Sequence, residues 1–150
     1  MGSSVGRLHL SIESLLENVA LLGNAIQGLM RAASLDETTA FQLELCVAEA
    51  TTNAIRHAYA GAPGNKVEVT VELASDRISF SVCDSGKTHP AFDELTAPFE
   101  WKSIDQIPEG GMGITIIKET MDEVRYSSGQ GRNCLTMTKF LAAPSPALAR

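Results

Sequence analysis

The chain has 150 residues and a mass of 16.0 kDa, and its 12 Lys and Arg against 18 Asp and Glu leave a net charge of −6. That length reads as one domain able to bury ~68–70% of the surface of its unfolded chain, and 44% hydrophobic with 20% charged residues excludes a disordered polymer. The acidic balance argues against direct nucleic-acid binding, which needs clustered Lys and Arg. No apolar run approaches the ~20 residues that span a bilayer, so no membrane segment is expected. The N-terminus lacks the basic and apolar regions of a signal peptide. Cys46, Cys83 and Cys134 are odd in number and each lies in an apolar-patterned segment. The expectation is three buried free thiols in a reducing cytoplasm rather than a disulfide framework.

Leu8, Leu10 and Ile12 alternate with His9 and Ser11, which predicts a short strand over 8–12. Leu15, Val19, Leu22, Ile26, Leu29, Met30 and Ala33 then recur at helical spacing, a stripe expected to be core for most of its length. Asp36 is the expected N-cap of a longer helix running to about Tyr59, ended by Gly61, Pro63 and Gly64. A hairpin should follow: Val67, Val69, Val71 and Leu73 alternate with polar residues, Ser75-Asp76 turn, and Ile78, Phe80 and Val82 return.

Periodicity vanishes from Ser85 to Gly113, and a loop of that length in a compact domain is either functional or disordered. Ile114, Ile117 and Met121 predict a short helix, and two last strands follow around Val124–Tyr126 and Leu135–Met137. Residues 1–141 should form one domain, and the tail 142–150 should fray. Helices before and between strands suggest an α+β sandwich with helices on one face of a mixed sheet.

Three places carry chemical signals. On the second helix, Phe41, Leu45, Ala48, Thr52, Ile55 and Tyr59 fall on one face, and Leu43, Val47, Ala50, Ala54 and Ala58 on nearly the opposite one. Between these apolar flanks runs a polar stripe of Glu49, Asn53 and His57. Two readings stand here: one wall of a pocket, because a carboxylate between apolar flanks needs a partner, or a solvated face with Glu49 paired to Arg56.

Ile78, Phe80 and Val82 share a face, and period two places Asp84 on it. Asp84-Ser85-Gly86 is either turn chemistry or a pocket floor, with Asp84 accepting from a ligand amine and Gly86 letting a ring approach the backbone. Gly86-Lys87-Thr88 is no phosphate-binding P-loop, since Ser81 stands where that motif's first glycine belongs and His89-Pro90 follows instead of a helix. Third, Gly110-Gly111-Met112-Gly113 opens a helix, where free N–H groups attract anions, although such glycines also serve as simple hinges.

In order, E-x-x-x-N on a helix, D-x-G at a strand end and G-x-G after a long loop resemble the N, G1 and G2 boxes of the GHKL ATPase superfamily. The closer resemblance is to its anti-sigma factor serine/threonine kinases. Glu49-Ala50-Thr51-Thr52-Asn53-Ala54-Ile55-Arg56-His57-Ala58-Tyr59 is similar to that branch's E-A-x-x-N-A-x-x-H-[AG]-Y. Gly110 to Ile114 with Met121-Asp122-Glu123-Val124 is similar to its G-G-[ML]-G-[FIL]…M-D-[ED]-V, and Gly131, Asn133, Leu135 and Lys139 resemble its last strand. The resemblance spans residues 7–141.

It implies a Bergerat ATP-binding fold, a two-layer α/β sandwich with a mixed, mostly antiparallel sheet and an ATP lid. It implies ATP/ADP and Mg²⁺, with Asn53 as the metal ligand, Asp84 accepting from the adenine amine, and Gly86 against the ring. Gly111 and Gly113 would present N–H groups to the phosphates with His57 nearby, and Glu49 would be the general base toward a partner's serine hydroxyl. The implied partners are a STAS-domain anti-anti-sigma protein as substrate and a sigma factor, and the implied assembly is a homodimer. The sequence departs from the family where Pro108 and Glu109 stand in place of a basic residue found there in some members, the nearest upstream being Lys102. This departure keeps a second function in view, a nucleotide-gated module that sequesters a partner without phosphorylating it.

Overall fold

The computed structural model describes residues 4–88, 99–100 and 111–141. Strand β1 (Ser4–Glu13) is followed by α1 (Glu17–Ala32) and α2 (Glu37–Asn53), which runs directly into a π-helical turn, Ala54–Ala58. Then come β2 (Lys66–Ala74), β3 (Arg77–Asp84), the two-residue β4 (Phe99–Glu100), α3 (Gly111–Thr120), β5 (Glu123–Gly129) and β6 (Arg132–Phe140). The sheet order is β1-β2-β3-β6-β5-β4. The sheet expected to be mixed and mostly antiparallel is antiparallel at all five pairings between described residues.

Local chemistry explains the boundaries. Asp36 caps α2 as expected: its Oδ1 accepts from the Thr39 N–H at 2.8 Å and its Oδ2 from the Thr39 hydroxyl at 2.8 Å. The β5–β6 hairpin turns through Gln130 (φ 56°) and Gly131 (φ 75°), the paired left-handed residues of a two-residue hairpin loop. Strand β1 is longer than the predicted 8–12 and sits on the sheet edge beside β2, so its side chains, Leu8 among them, are only partly covered.

Helices α1, α2 and α3 cover one face of the sheet, with α2 between the other two. Leu22, Ile26 and Met30 of α1 join Leu43, Cys46, Val47 and Ala50 of α2, and Ile114 and Ile117 of α3. They meet the alternating Val67, Val69 and Val71 of β2, Ile78, Phe80 and Val82 of β3, Val124 of β5 and Met137 of β6. The central position of α2 explains why apolar residues lie on both sides of it. Of the expected flank of Phe41, Leu45, Ala48, Thr52, Ile55 and Tyr59, Ile55 is core and Tyr59 packs against it, but Phe41 is 60% exposed, while Thr51, outside either expected flank, is fully buried with its hydroxyl donated to the Val47 carbonyl at 2.7 Å.

The cysteine expectation is corrected. Cys83 and Cys134 lie directly opposite each other on β3 and β6, with Cα atoms 4.1 Å apart, and are joined by a disulfide; only the buried Cys46 is a free thiol. The pairing joins positions 51 residues apart, and composition and periodicity contain no information on which strands become neighbours. Burial pushes the Cys46 thiol up to about 11, which keeps it neutral. Among the described residues no helix is long and apolar enough to cross a membrane.

Candidate nucleotide site

A cleft opens where the C-terminal end of β3, the start of β6, the end of α2 and the start of α3 converge. Ala50, Asn53, Ala54, Ala58, Val82, Asp84, Ile114, Tyr126 and Leu135 line this narrow cleft. The walls are almost wholly apolar, with Asn53 and Asp84 as the polar groups of α2 and β3 that face in.

Asp84 is 8% exposed. The strand parity that carries Ile78, Phe80 and Val82 inward carries this carboxylate inward too. Its Oδ1 accepts from the Asn133 amide at 2.8 Å and from the Gly86 N–H at 3.0 Å. Both bonds fall on one oxygen, so Oδ2 accepts from none of the described residues. Burial pushes the Asp84 pKa up, opposed by the two hydrogen bonds and by the positive charge of Arg132. A buried, half-satisfied carboxylate in an apolar slot fits a planar heterocycle bearing an amino donor.

Behind Asp84 stands a polar relay that sequence reasoning left without a role. Asn133 is 3% exposed and also donates to the carbonyls of Gly86 (3.0 Å) and Lys87 (3.3 Å). Its Oδ1 accepts from the Ser128 hydroxyl at 2.6 Å. The single Ser128 proton is thereby committed, so at the 3.0 Å contact between them Thr88 donates to Ser128. The signal was the parity that drew attention to Asp84: Asn133 occupies a core-facing position of β6, in step with Leu135 and Met137.

The Asp84-Ser85-Gly86 turn rests on the end of the helical rod. The Lys87 N–H donates to the Ala58 carbonyl at 2.9 Å, and the Ser85 N–H donates to the Tyr59 hydroxyl at 2.8 Å, which itself donates to the Lys66 carbonyl at 2.7 Å. A Cβ at position 86 would collide with the Ala58 carbonyl group, coming within 2.6 Å of its carbon. Glycine is therefore required at 86 by backbone contact with the π turn, a constraint separate from the ring approach expected of it.

At the other end of the cleft, a Cβ at Gly113 would lie 2.7 Å from the Glu49 carboxylate and 3.5 Å from the Asn53 amide. Glu49 and Asn53 of α2 thus meet Gly113, distant in sequence, around the first turn of α3, whose leading N–H groups have no partners within the helix. Gly111 is the first residue of that helix. His57 lies one turn beyond Asn53, exposed and outside the residues that line the cleft. Gly110, Lys102, Pro108, Glu109, most of the expected lid and the 142–150 tail lie outside the described residues.

Asn53 offers a neutral carbonyl oxygen, and no group of three His, Cys, Asp or Glu able to hold a metal exists among the described residues. That donor set fits Mg²⁺, which takes few protein ligands and keeps waters and substrate phosphate oxygens around it.

Residues 12–139 match the family model described as a histidine kinase-like ATPase domain. The chain belongs to that family. It is an RsbW-type member of the GHKL superfamily, and its α+β sandwich is the fold expected of one. The "Serine-protein kinase RsbW" of Bacillus pumilus is 31% identical over 149 residues, covering 94% of this chain and 90% of the relative. The "Anti-sigma F factor" of Oceanobacillus iheyensis is 31% identical over 138 residues, covering 90% of this chain and 92% of the relative. Among solved structures, the RsbU and RsbW domains of a Mycobacterium tuberculosis protein superpose with a TM-score of 0.63 at 18% identity, which speaks to the fold alone. That match covers 94% of this chain, and this chain spans 33% of the other.

Proposed function

We propose that this chain is an ATP-dependent serine/threonine protein kinase that also acts as an anti-sigma factor. In one state it holds a sigma factor, and in the other it binds and phosphorylates a STAS-domain anti-anti-sigma protein. The observation that carries the reading is the half-satisfied Asp84 carboxylate in an apolar slot whose far end gathers Glu49, Asn53 and the N-terminus of α3. Residues 1–141 act as one nucleotide-binding domain of a cytoplasmic homodimer. The names of the relatives at 31% identity support the activity class.

The chain's own residues divide the work. Asp84 Oδ2 accepts from the adenine amine, with Asn133 and the Gly86 N–H fixing Oδ1 so that the free oxygen cannot rotate away. Asn53 would hold a Mg²⁺, which would supply neutralisation of phosphate charge, and Gly111 and Gly113 present backbone N–H groups to the phosphates. His57, from its exposed place on the π turn, serves the mouth of the site. Glu49 accepts the proton of the incoming serine hydroxyl. Phosphoryl transfer demands chiefly positioning and charge neutralisation, which such a site can supply with one carboxylate aimed at the nucleophile.

The test combines purified protein, Mg-ATP and a STAS-domain partner, read by intact mass. One phosphoryl group gained by the partner, and none with Glu49→Gln although that variant still binds ATP, is the expected result. ATP binding with no transfer by the wild type would instead favour the sequestering module, the reading motivated by Pro108 and Glu109 in place of a cation.

A further inference from the structure

We propose that Cys83 and Cys134 form a redox-active dithiol site whose oxidation state sets the affinity of the adjoining cleft for nucleotide. The effect on affinity rests on the ATP reading above, whereas the chemistry of the pair does not.

The two cysteines form one rung of the β3–β6 ladder, and the next rung is Asp84 opposite Asn133. The sulfurs stand on the face of the sheet turned away from the helices. Successive residues alternate faces, and the neighbouring rungs on that side are the hydroxyl pairs Ser79–Thr138 (2.9 Å) and Ser81–Thr136 (3.0 Å). The pair is therefore set among hydroxyls, on the side of the sheet away from the core cluster under the helices. Cys83 is 6% exposed, but Cys134 is half-buried and lines an outer cleft with Ser127, Gln130 and Arg132. Arg132 lies two residues before Cys134 and so on the same face, paired with Glu68 at 2.8 Å, and Glu68 itself stands opposite Cys83 on β2. Being the sulfur that an oxidant can reach, Cys134 is the attacking one and the buried Cys83 the resolving one.

The oxidant class is a hydroperoxide. The Cys134 thiolate attacks one oxygen of hydrogen peroxide, the O–O bond breaks, and the departing hydroxide is protonated to water, leaving a sulfenic acid on Cys134. The Cys83 thiol then attacks the Cys134 sulfur. The S–S bond forms, the S–O bond breaks, and the second hydroxide leaves as water with the Cys83 proton. The two sulfurs lose two electrons and the peroxide gains them. Exchange with a small dithiol restores both thiols and carries the electrons back.

Coupling to the cleft follows from adjacency. The disulfide fixes the separation of β3 and β6 at the rung before the Asp84 Oδ1–Asn133 Nδ2 bond. It thereby holds Asn133 where it reaches the Gly86 and Lys87 carbonyls as well. Both strands end at this rung: β3 stops at Asp84 and β6 begins at Arg132, so little ladder remains beyond it to hold the pair in register. The oxidised form presents Asp84 pre-organised, and the reduced form must order it at the moment of binding. By reciprocity, bound nucleotide protects the disulfide from reduction by the same factor.

The test uses the full chain in two states, oxidised with hydrogen peroxide or reduced with dithiothreitol and kept anaerobic. Intact mass and peptide mapping establish the Cys83–Cys134 bond, and calorimetry gives Mg-ATP affinity in each state. Oxidised protein should bind at least about 5-fold more tightly, within the usual span of coupled sites. The Cys83→Ser/Cys134→Ser variant should bind like reduced protein and ignore peroxide, while Cys46→Ala should respond as the wild type does. The wild-type comparison needs no substitution, so a double variant that misfolds leaves the test intact. Failure of peroxide to produce the mapped bond, or equal affinities in the two states, would overturn the proposal. Absence of ATP binding in both states would overturn the ATP reading and the affinity effect together, leaving the mapped bond as the only part standing.

Discussion

Asp84→Asn isolates the contribution of one oxygen. In the protein, Oδ1 takes both intramolecular bonds, from Asn133 at 2.8 Å and Gly86 at 3.0 Å, and Oδ2 takes none from the described residues. An asparagine can keep its carbonyl oxygen in the Oδ1 place, retaining both bonds, and puts an NH₂ where Oδ2 was. The fold should be nearly indifferent to the change. Because burial raises the Asp84 pKa, the charged form is disfavoured in the folded state, so removing the charge should not lower stability. The ligand, in contrast, loses a charge-assisted hydrogen bond of ~1.5–3 kcal/mol and meets a donor with its own donor. That corresponds to roughly 10- to 150-fold weaker ATP binding, since ~1.4 kcal/mol is tenfold. Calorimetry with Mg-ATP and a thermal melt of the same sample measure both quantities. Equal affinity, or lost affinity accompanied by a collapsed melting temperature, would refute the assignment of Oδ2 as the adenine acceptor.

Further expectations follow from the same geometry. Wild-type ATP affinity should fall as pH drops through the raised Asp84 pKa, because binding favours the carboxylate, and the Asp84→Asn profile should be flat there by titration calorimetry. Gly113→Ala brings a methyl within 2.7 Å of the Glu49 carboxylate, so phosphate transfer to the partner should drop while the thermal midpoint holds. Gly86→Ala should destabilise the fold by ~1–3 kcal/mol in urea titration, because its methyl meets the Ala58 backbone. Asn133→Ala leaves Ser128 and the carbonyls of Gly86 and Lys87 short of a partner, and should cost ~1–3 kcal/mol of stability and weaken ATP binding together.

The parts legible in the sequence were those written in local chemistry. The Asp36 cap, the Ser75-Asp76 turn and the alternation of Val67 to Leu73 and Ile78 to Val82 depend on neighbours a few residues away, and parity alone aimed Asp84 inward. What escaped was non-local. Asn133 meets Asp84 across 49 residues and Cys134 meets Cys83 across 51, because β6 inserts next to β3, an order that no period of two or 3.6 encodes. The stripe of Glu49, Asn53 and His57 was found by spacing, yet only the first two meet Gly113. The third falls in the π turn, where the winding departs from that of the helix before it. Phe41 misled because a helical wheel records which residues share a side, and the packing of α1 and α3 decides which sides are covered.

The insertion of β6 between β3 and β5 has a kinetic meaning. Strands β1, β2 and β3 can assemble with α1 and α2 from the first 84 residues, and Asp84 is then already in the chain but faces no Asn133. Closing that contact requires the intervening segment, α3 and β5 to be traversed first, a long loop whose ordering entropy must be met before the contact forms. The Asp84–Asn133 contact, closed across 49 residues, is therefore expected among the later contacts of a refolding molecule. A chain caught midway has a β3 edge without its β6 neighbour, a core still lacking Ile114, Ile117, Val124 and Met137, and an Asp84 carboxylate with no Asn133 to hold it.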